Sequence, residues 1–183
     1  TAVSLASNNA DFLAFWQHSF HCENFRVYEN HDFIGLQVCG VMKNVLAIAA
    51  GISDGLQLGA NACSAMITRG LAEMARLVEV MGGQPATVWS LAGVGDLVLT
   101  CTDDQSRNRR FGLAIAQNAN HKKAEQDIQQ VVEGLYNTKQ VYQLARKYNI
   151  EMPIVAQVYR ILVEGMSPQA AVEDLMSRSP AVE

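Results

Sequence analysis

Charged residues are scarce in this sequence, and the two signs are nearly balanced. Asp, Glu, Lys and Arg make up 17% of the 183 residues, and the formal net charge is −4. A chain without a general excess of positive charge offers nucleic acid no broad binding surface, so any anion site must come from a local cluster of Lys and Arg. The composition therefore predicts no nucleic-acid partner.

Cysteine pairs and an export signal are also missing. The opening residues, TAVSLAS, carry no basic segment, and no long apolar run with a small-residue cleavage site follows them. A domain of this size needs no disulfide staples, and no Cys-x-x-Cys pair occurs among the four cysteines, which are Cys22, Cys39, Cys63 and Cys101. We expect reduced thiols and a cytoplasmic location.

Apolar residues, in contrast, are abundant. They make up 49% of the chain, which is enough for one full core. Residues 33–52 form an apolar segment about as long as a membrane span, but Lys43 and Asn44 lie at its centre. A lysine at that depth costs roughly 2.5–3.5 kcal/mol on insertion. The segment is therefore predicted to be a buried core helix, without stable membrane insertion.

The first 34 residues have the pattern of the end of an α/β unit. A short β-rich run (AVSL) comes first, Phe12, Trp16 and Phe20 follow at helical spacing, and residues 25–30 alternate as in a strand. A strand, a helix and a strand of this length cannot bury both faces of a sheet. We therefore expect residues 1–34 to be the last part of a larger domain.

From Gly35 onward the periodicity is helical, and residues 35–183 are predicted to form a second, all-helical domain. An apolar stripe within residues 61–81 ends at Gly82 and Gly83, which favour a helix stop. Further helices are predicted over residues 106–117, 133–149, 153–165 and 167–178, two of them with a proline near the start. No internal repeat is present.

Lys43 is the only charged residue between Asp32 and Asp54. An ammonium in so apolar a helix loses hydration, which favours its neutral form unless a carboxylate offsets the effect. Such a lysine can exchange a proton with an alcohol or a carbonyl. The alternative is a lysine that snorkels to the helix surface or pairs structurally with a buried acid.

A second candidate is LAGVGDLVLTC, residues 91–101, in which Gly93 and Gly95 precede the single acid Asp96. Glycines allow the backbone to pass close to a ligand or another helix, and Asp96 is a candidate partner for Lys43 or for substrate hydroxyls. A tight turn with a capping aspartate explains the same pattern.

The third candidate is QSRNRRFG, in which Ser106 is a good helix N-cap and three arginines crowd the first turn, where the helix dipole disfavours cations. An anion is therefore expected there. Either Asp103 and Asp104 supply it, or free backbone N–H groups and guanidinium groups bind a phosphate.

The histidines and Glu133 are weaker signals. His18, His21 and Cys22 have the spacing of three metal ligands on one helical face, but no fourth ligand follows at a suitable spacing, so we predict no metal site. Glu133 and Gly134, after a polar stretch, either begin a helix or contact a ligand.

Five segments, in this order, closely resemble the NAD(P)-dependent glycerol-3-phosphate dehydrogenase family in its bacterial form. They are VMKN (41–44), ITRGL (67–71), LAGVGDLVLTC (91–101), SRNRRFG (106–112) and VEG (132–134). The match covers essentially the whole chain. It implies a mainly α fold, in which an all-helical C-terminal domain of the 6-phosphogluconate dehydrogenase type follows a β-α-β remnant of a Rossmann domain.

The resemblance also implies an activity: interconversion of sn-glycerol 3-phosphate and dihydroxyacetone phosphate with NAD or NADP, which feeds phospholipid synthesis. By position, Lys43 is the general acid/base. The implied substrate-binding residues are Lys43, Asn44, Asp96, Thr100, Ser106, Arg107 and Asn108, and the implied cofactor-binding residues are Arg107, Val131 and Glu133. A homodimer is expected.

The sequence departs from the family in two ways. Val41 and Met42 replace the Ala and Leu of the common ALKN motif, an apolar change. In addition, no GxGxxG loop occurs anywhere, although the family uses one to hold the pyrophosphate. We therefore expect a fragment that is inactive by itself. Two other classes stay open, a dehydrogenase of hydroxy or sugar acids and a non-enzymatic helical scaffold.

Overall fold

Two short strands and nine α-helices make up the described part of the chain. The structure is a computed structural model that describes residues 1–117 and 121–178. The elements are β1 (Ala2–Ala6), α1 (Ala10–Phe20), β2 (Arg26–Asn30), α2 (Phe33–Gly55), α3 (Ala60–Val80), α4 (Asp96–Thr102), α5 (Arg107–Ala116), α6 (His121–Ile128), α7 (Glu133–Tyr148), α8 (Pro153–Glu164) and α9 (Pro168–Met176). A 3₁₀ helix (Pro85–Trp89) and a π-helical turn (Leu91–Gly95) connect α3 to α4. The predicted fold class is confirmed.

The β-α-β unit at the start has the expected form. Strands β1 and β2 pair in parallel, with Ala2 opposite Arg26 and Ala6 opposite Asn30. The side chain of Asn9 caps α1 by accepting a hydrogen bond from the backbone of Phe12. Helix α2 then begins at Phe33, so the helical part starts next to the boundary predicted at residue 34, which stays a prediction.

Asp32 fixes the start of α2. Its carboxylate accepts hydrogen bonds from the backbone of Gly35 at 2.8 Å and of Gln84 at 2.7 Å, and from the hydroxyl of Thr87 at 2.6 Å. Burial opposes ionisation, but the hydrogen bonds outweigh it and hold the pKa of Asp32 below its ordinary value. One carboxylate thus joins α2 to the 3₁₀ helix that leads toward Asp96.

Helix α2 runs through the centre of the helical part and packs against α3, α4, α5, α7 and α8. Among the described residues, it is the one helix with the length and composition of a membrane span. Because 56% of its most apolar window is buried inside the protein, core packing accounts for that composition. Burial also raises the pKa of Cys39, on this helix, to about 11, and all four cysteines are free thiols.

Two glycines let α2 and α5 come into backbone contact. A Cβ at Gly51 would lie 1.9 Å from the carbonyl oxygen of Arg109, and one at Gly112 would lie 2.1 Å from that of Ile48. Glycine inside a helix costs about 0.5–1 kcal/mol relative to alanine, so the close approach must compensate for it. This crossing brings the start of α5 beside the middle of α2.

The other predicted helices are present with nearly the predicted bounds. Gly82 follows α3 with a positive φ of 87°, Ser106 caps α5, and the first residues of α8 and α9 are Pro153 and Pro168. The sequence pattern does not predict α4 and α6. The first is a short, largely apolar run, and the second is an eight-residue polar segment whose two apolar residues, Ala124 and Ile128, are too few to predict a helix.

Candidate active site

Lys43, in the middle of α2, pairs with Asp96, the first residue of α4. Its Nζ donates to Asp96 Oδ2 at 2.5 Å, and the two side chains are 27% and 35% exposed. The hydroxyl of Thr100 donates to the Asp96 carbonyl at 2.6 Å and lies 3.3 Å from Oδ1. The pairing of Lys43 with Asp96 is confirmed, and the partial exposure leaves the ammonium within reach of a small molecule.

The glycine-rich turn before α4 sets the position of Asp96. A Cβ at Gly93 would lie 2.1 Å from the carbonyl oxygen of Val88, so this glycine lets the turn pack on the 3₁₀ helix. The backbone N–H groups of Gly93 and Gly95 both donate to the carbonyl of Ser90, at 3.1 and 3.3 Å. The tight-turn explanation therefore accounts for Gly93, and Asp96 both begins α4 and binds the lysine.

A buried amide network links α2, α5 and α7. Asn108 Nδ2 donates to Asn44 Oδ1 at 2.9 Å, while Asn108 Oδ1 accepts from the backbone N–H of Gly134 at 2.9 Å. Asn44 Nδ2 donates in turn to Glu133 Oε2 at 3.0 Å. Gly134 must be glycine, because a Cβ there would lie 2.9 Å from the carbonyl of Asn44. Glu133 begins α7, as one of the two interpretations predicted.

The arginines of α5 divide into different roles. Arg109 Nη2 donates to Asp54 Oδ2 at 2.7 Å, and its Nη1 contacts Asp104. These two acids raise the pKa of Arg109 despite its burial. Arg107 Nη2 lies 3.9 Å from Glu133 Oε1, beyond hydrogen-bond distance. The acidic-partner explanation thus holds for Arg109, whereas Arg107, with 40% of its side chain exposed, has donors left for a ligand.

The predicted site residues fall into two contact groups, Lys43 with Asp96 and Thr100, and Asn44 with Asn108 and Glu133, which meet at neighbouring positions of α2. Lys43 and Asn44 are adjacent on α2. Asn44 contacts Asn108, which follows Arg107 in the chain, and Glu133, which is the ionic partner of Arg107. Ser106 lies at the N-terminus of α5, where its Oγ accepts from the backbone of Arg109 at 3.3 Å. Val131 lies just before α7 and is 61% exposed.

A cavity of about 370 Å³ opens beside Asp96. Its lining comes from β1, α2, the π-helical turn and α4, and Asp96 is the one charged residue in it. The apolar walls fit the uncharged ring of a reduced nicotinamide, and the carboxylate fits the positive charge of the oxidised form. The residues present are therefore compatible with this end of a dinucleotide cofactor.

Two features differ from what the sequence suggested. His18, His21 and Cys22 do not share a helical face, because α1 ends at Phe20 and the next residues are extended. Asp54, the stronger partner of Arg109, was missed. It lies 55 positions from Arg109 in the sequence, and no local pattern connects the two.

Comparisons with known proteins identify the family that the five motifs resemble. Residues 32–173 match the family model described as NAD-dependent glycerol-3-phosphate dehydrogenase C-terminus. The chain is 60% identical over its whole length to glycerol-3-phosphate dehydrogenase (NAD(P)+) from Coxiella burnetii, of which it covers 55%, and 54% identical to the corresponding protein from Vibrio cholerae, of which it covers 54%. The chain thus spans about half the length of the curated relatives that it matches.

Solved structures give the same result. A crystal structure of the Coxiella burnetii glycerol-3-phosphate dehydrogenase superposes on 97% of this chain with a TM-score of 0.95 at 60% identity, and 55% of that protein is covered. The glycerol-3-phosphate dehydrogenase of Saccharomyces cerevisiae gives a TM-score of 0.86 at 25% identity, again over 97% of this chain and 54% of that protein.

Proposed function

The chain belongs to the family of NAD-dependent glycerol-3-phosphate dehydrogenases, of which it carries the C-terminal part, and from this premise we propose that it supplies the acid/base and substrate-binding half of an enzyme that interconverts dihydroxyacetone phosphate and sn-glycerol 3-phosphate with NAD or NADP. The arrangement that carries the proposal is the Lys43–Asp96 ion pair, connected through Asn44 and Asn108 to the cationic start of α5.

Lys43 is the general acid in the direction of reduction. Its ammonium donates a proton to the C2 oxygen of the substrate as that oxygen gains negative charge, and the neutral amine takes the proton back in the direction of oxidation. Asp96 holds the ammonium in place through the 2.5 Å contact. Thr100, one turn along α4, fixes the position of Asp96 by its hydrogen bond to that residue's backbone.

The start of α5 binds the phosphoryl end of the substrate. Free N–H groups of the first turn and the guanidinium of Arg107 are suitable donors to a phosphate. Ser106 retains a hydroxyl proton that it can donate, since its oxygen acts as the acceptor in the helix cap. Both ends of the Asn108 side-chain amide are engaged, so this residue orients the pocket mainly by holding Asn44 and the start of α7.

Arg107, Val131 and Glu133 would contact the cofactor outside the cavity beside Asp96, since none of them lines that cavity. When bound, the cofactor supplies or accepts the hydride at C2 of the substrate. Glu133 keeps its carboxylate oriented by accepting from Asn44. The exposed Val131 offers an apolar surface beside it.

The test uses the complete enzyme, meaning this chain together with a cofactor-binding domain of the family. Lys43→Ala should lower the rate of dihydroxyacetone phosphate reduction by roughly 10²–10⁴ and leave NAD(P)H binding nearly unchanged, since this is the usual scale of positioned acid/base catalysis. Lys139→Ala, at an exposed lysine of α7, is the control. A near-normal rate for Lys43→Ala would contradict the proposal.

A homodimer is part of the proposal. An apolar cavity of about 560 Å³ lies between α2, α3, α8 and α9, and Arg76, Glu151 and Arg178 are among the residues that line it. Its lining is mainly apolar and includes Met176, which is 80% exposed, so this is the surface that a second copy related by two-fold symmetry would cover. Light scattering of the complete enzyme, with Met176→Asp at the 80% exposed methionine of this surface, tests the assignment. A variant that stays dimeric would contradict it.

The remaining expectations concern the cellular role. We infer a cytoplasmic enzyme whose product feeds phospholipid synthesis.

We also infer that the chain does not turn over substrate by itself, because its 183 residues contain no GxGxxG loop. An activity assay of the isolated chain with and without a separately expressed cofactor-binding domain tests the last point. Turnover by the chain alone would contradict it.

A further inference from the structure

Gly40 lies inside α2, one turn before Lys43. Glycine destabilises a helix interior relative to alanine, because it loses more conformational freedom on folding. A glycine within a 23-residue core helix therefore needs a reason. Packing is the usual one, and the other glycines of this helix have it.

A side chain at each of those other positions would collide with the protein. A Cβ at Gly35 would lie 2.0 Å from Asp32 Oδ2, one at Gly51 would lie 1.9 Å from the carbonyl of Arg109, and one at Gly55 would lie 2.6 Å from Ala116 Cβ. A Cβ at Gly40, in contrast, would have no heavy atom within 4 Å among the described residues, apart from its chain neighbours and the backbone of its own helix. Packing within residues 1–117 and 121–178 does not explain this glycine.

The space above Gly40 belongs to the cavity beside Asp96. Gly40 lines that cavity together with Leu36 of α2, and the facing walls are Leu91, Gly95 and Leu99. The cavity therefore extends along α2 toward the turn that carries Lys43. Among its lining residues Asp96 is the one charged group and no cation is present, so a phosphate does not fit there, whereas a flat, uncharged ring does.

We infer that Gly40 is a positioning residue for the nicotinamide ring: the bare backbone of α2 at this point lets the ring lie against the helix, next to the Lys43–Asp96 pair. Hydride transfer requires reacting atoms about 3–3.5 Å apart, so a side chain under the ring would move it out of line with the lysine and the substrate. This inference rests on the proposed function, because it assigns one wall of the same site.

The experiment compares Gly40→Ala and Gly40→Leu in the complete enzyme, by titration of NADH fluorescence and by thermal melting without ligand. Both residues are good helix formers, so the helix itself is not weakened. NADH affinity should fall at least fivefold for alanine and at least fiftyfold for leucine, while the ligand-free alanine variant melts at the same or a higher temperature. The KM for dihydroxyacetone phosphate, measured at saturating NADH, should change less than twofold.

Gln37→Ala, at an exposed position one turn earlier on α2 and outside the cavity lining, is the matched control and should leave NADH affinity unchanged. An NADH affinity within twofold of the parent in both Gly40 variants would overturn the inference. A ligand-free alanine variant that melts more than about 5 °C lower would also overturn it, because the space would then be filled by protein. If the proposed function itself were wrong, the parent enzyme would fail to reduce dihydroxyacetone phosphate, whatever the Gly40 variants do.

Discussion

The side chains of Asn44 and Asn108 meet across the crossing of α2 and α5, with Asn108 Nδ2 2.9 Å from Asn44 Oδ1. Both residues are buried, at 6% and 7% exposure. Each uses its second amide atom to contact α7, at Glu133 and at the backbone N–H of Gly134. The pair therefore ties together the three helices that carry Lys43, Arg107 and Glu133.

Asn108→Ala should weaken both stability and substrate binding. It leaves the Gly134 N–H and Asn44 Oδ1 without their partners in a buried site, which costs about 1–3 kcal/mol per unsatisfied group. Urea denaturation should show a lower free energy of unfolding, and the KM for dihydroxyacetone phosphate should rise. Asn61→Ala, at an exposed position of α3, should change neither. A fully stable Asn108→Ala variant would mean that the network contributes little.

Arg107→Ala should lower activity on the phosphorylated substrate more than activity on the unphosphorylated one. Hydrogen bonds to charged groups contribute about 1.5–3 kcal/mol, so kcat/KM for dihydroxyacetone phosphate should fall roughly 10- to 100-fold. With both substrates measured at saturating NAD(P)H, so that the cofactor contact of Arg107 does not enter, kcat/KM for unphosphorylated dihydroxyacetone should change less than about threefold. Arg110→Ala, at the exposed neighbour on α5, is the control. Equal losses on both substrates would indicate a role unrelated to phosphate.

Gly112→Ala should separate α2 from α5. The new Cβ would lie 2.1 Å from the carbonyl oxygen of Ile48, and neither backbone can yield without moving a helix. Overpacking of this kind typically costs about 1–3 kcal/mol, even though alanine is the better helix former. Ala114→Gly, on the same helix, measures the loss of helix propensity together with the packing of one partly buried methyl group. A stabilised Gly112→Ala variant would show that the helices tolerate a wider spacing.

Glu73 should make stability depend on pH near neutrality. This 1% exposed side chain of α3 accepts hydrogen bonds from the backbone of Ile154 and Val155 at the start of α8, at 2.6 and 3.2 Å. Burial raises its pKa from 4.5 to about 7, although these hydrogen bonds, and more weakly Arg76 and Arg178, oppose the rise. The folded protein therefore holds this proton more tightly than the unfolded chain between those two values.

The free energy of unfolding should accordingly decrease as pH rises from about 4.5 to about 7, by at most about 3 kcal/mol from this group. Chemical denaturation across that range measures the slope. Glu73→Gln should flatten the slope, while Glu79→Gln, at an exposed position of α3, should leave it unchanged. A slope that persists in Glu73→Gln would assign it to other groups.

Local sequence signals predicted the elements that depend on neighbouring residues. Ser106 caps α5, proline begins α8 and α9, and Gly82 follows α3, as the positions of these residues indicate. Each of these preferences acts within about one helical turn. Helix α6 was not predicted because its eight residues are mostly polar and just two of them, Ala124 and Ile128, mark an apolar face.

The sequence by itself thus determined where most helices begin and end, that a lysine lies in the middle of an apolar helix, and that five motifs occur in the order of one enzyme family. The tertiary structure alone decided that Asp54 pairs with Arg109 while Arg107 keeps free donors, and that Glu73 caps a distant helix. The reason is physical: helix ends depend on residues a turn apart, whereas the contacts of Asp54 and Glu73 join positions 55 and 81 residues apart and exist only after the helices have packed.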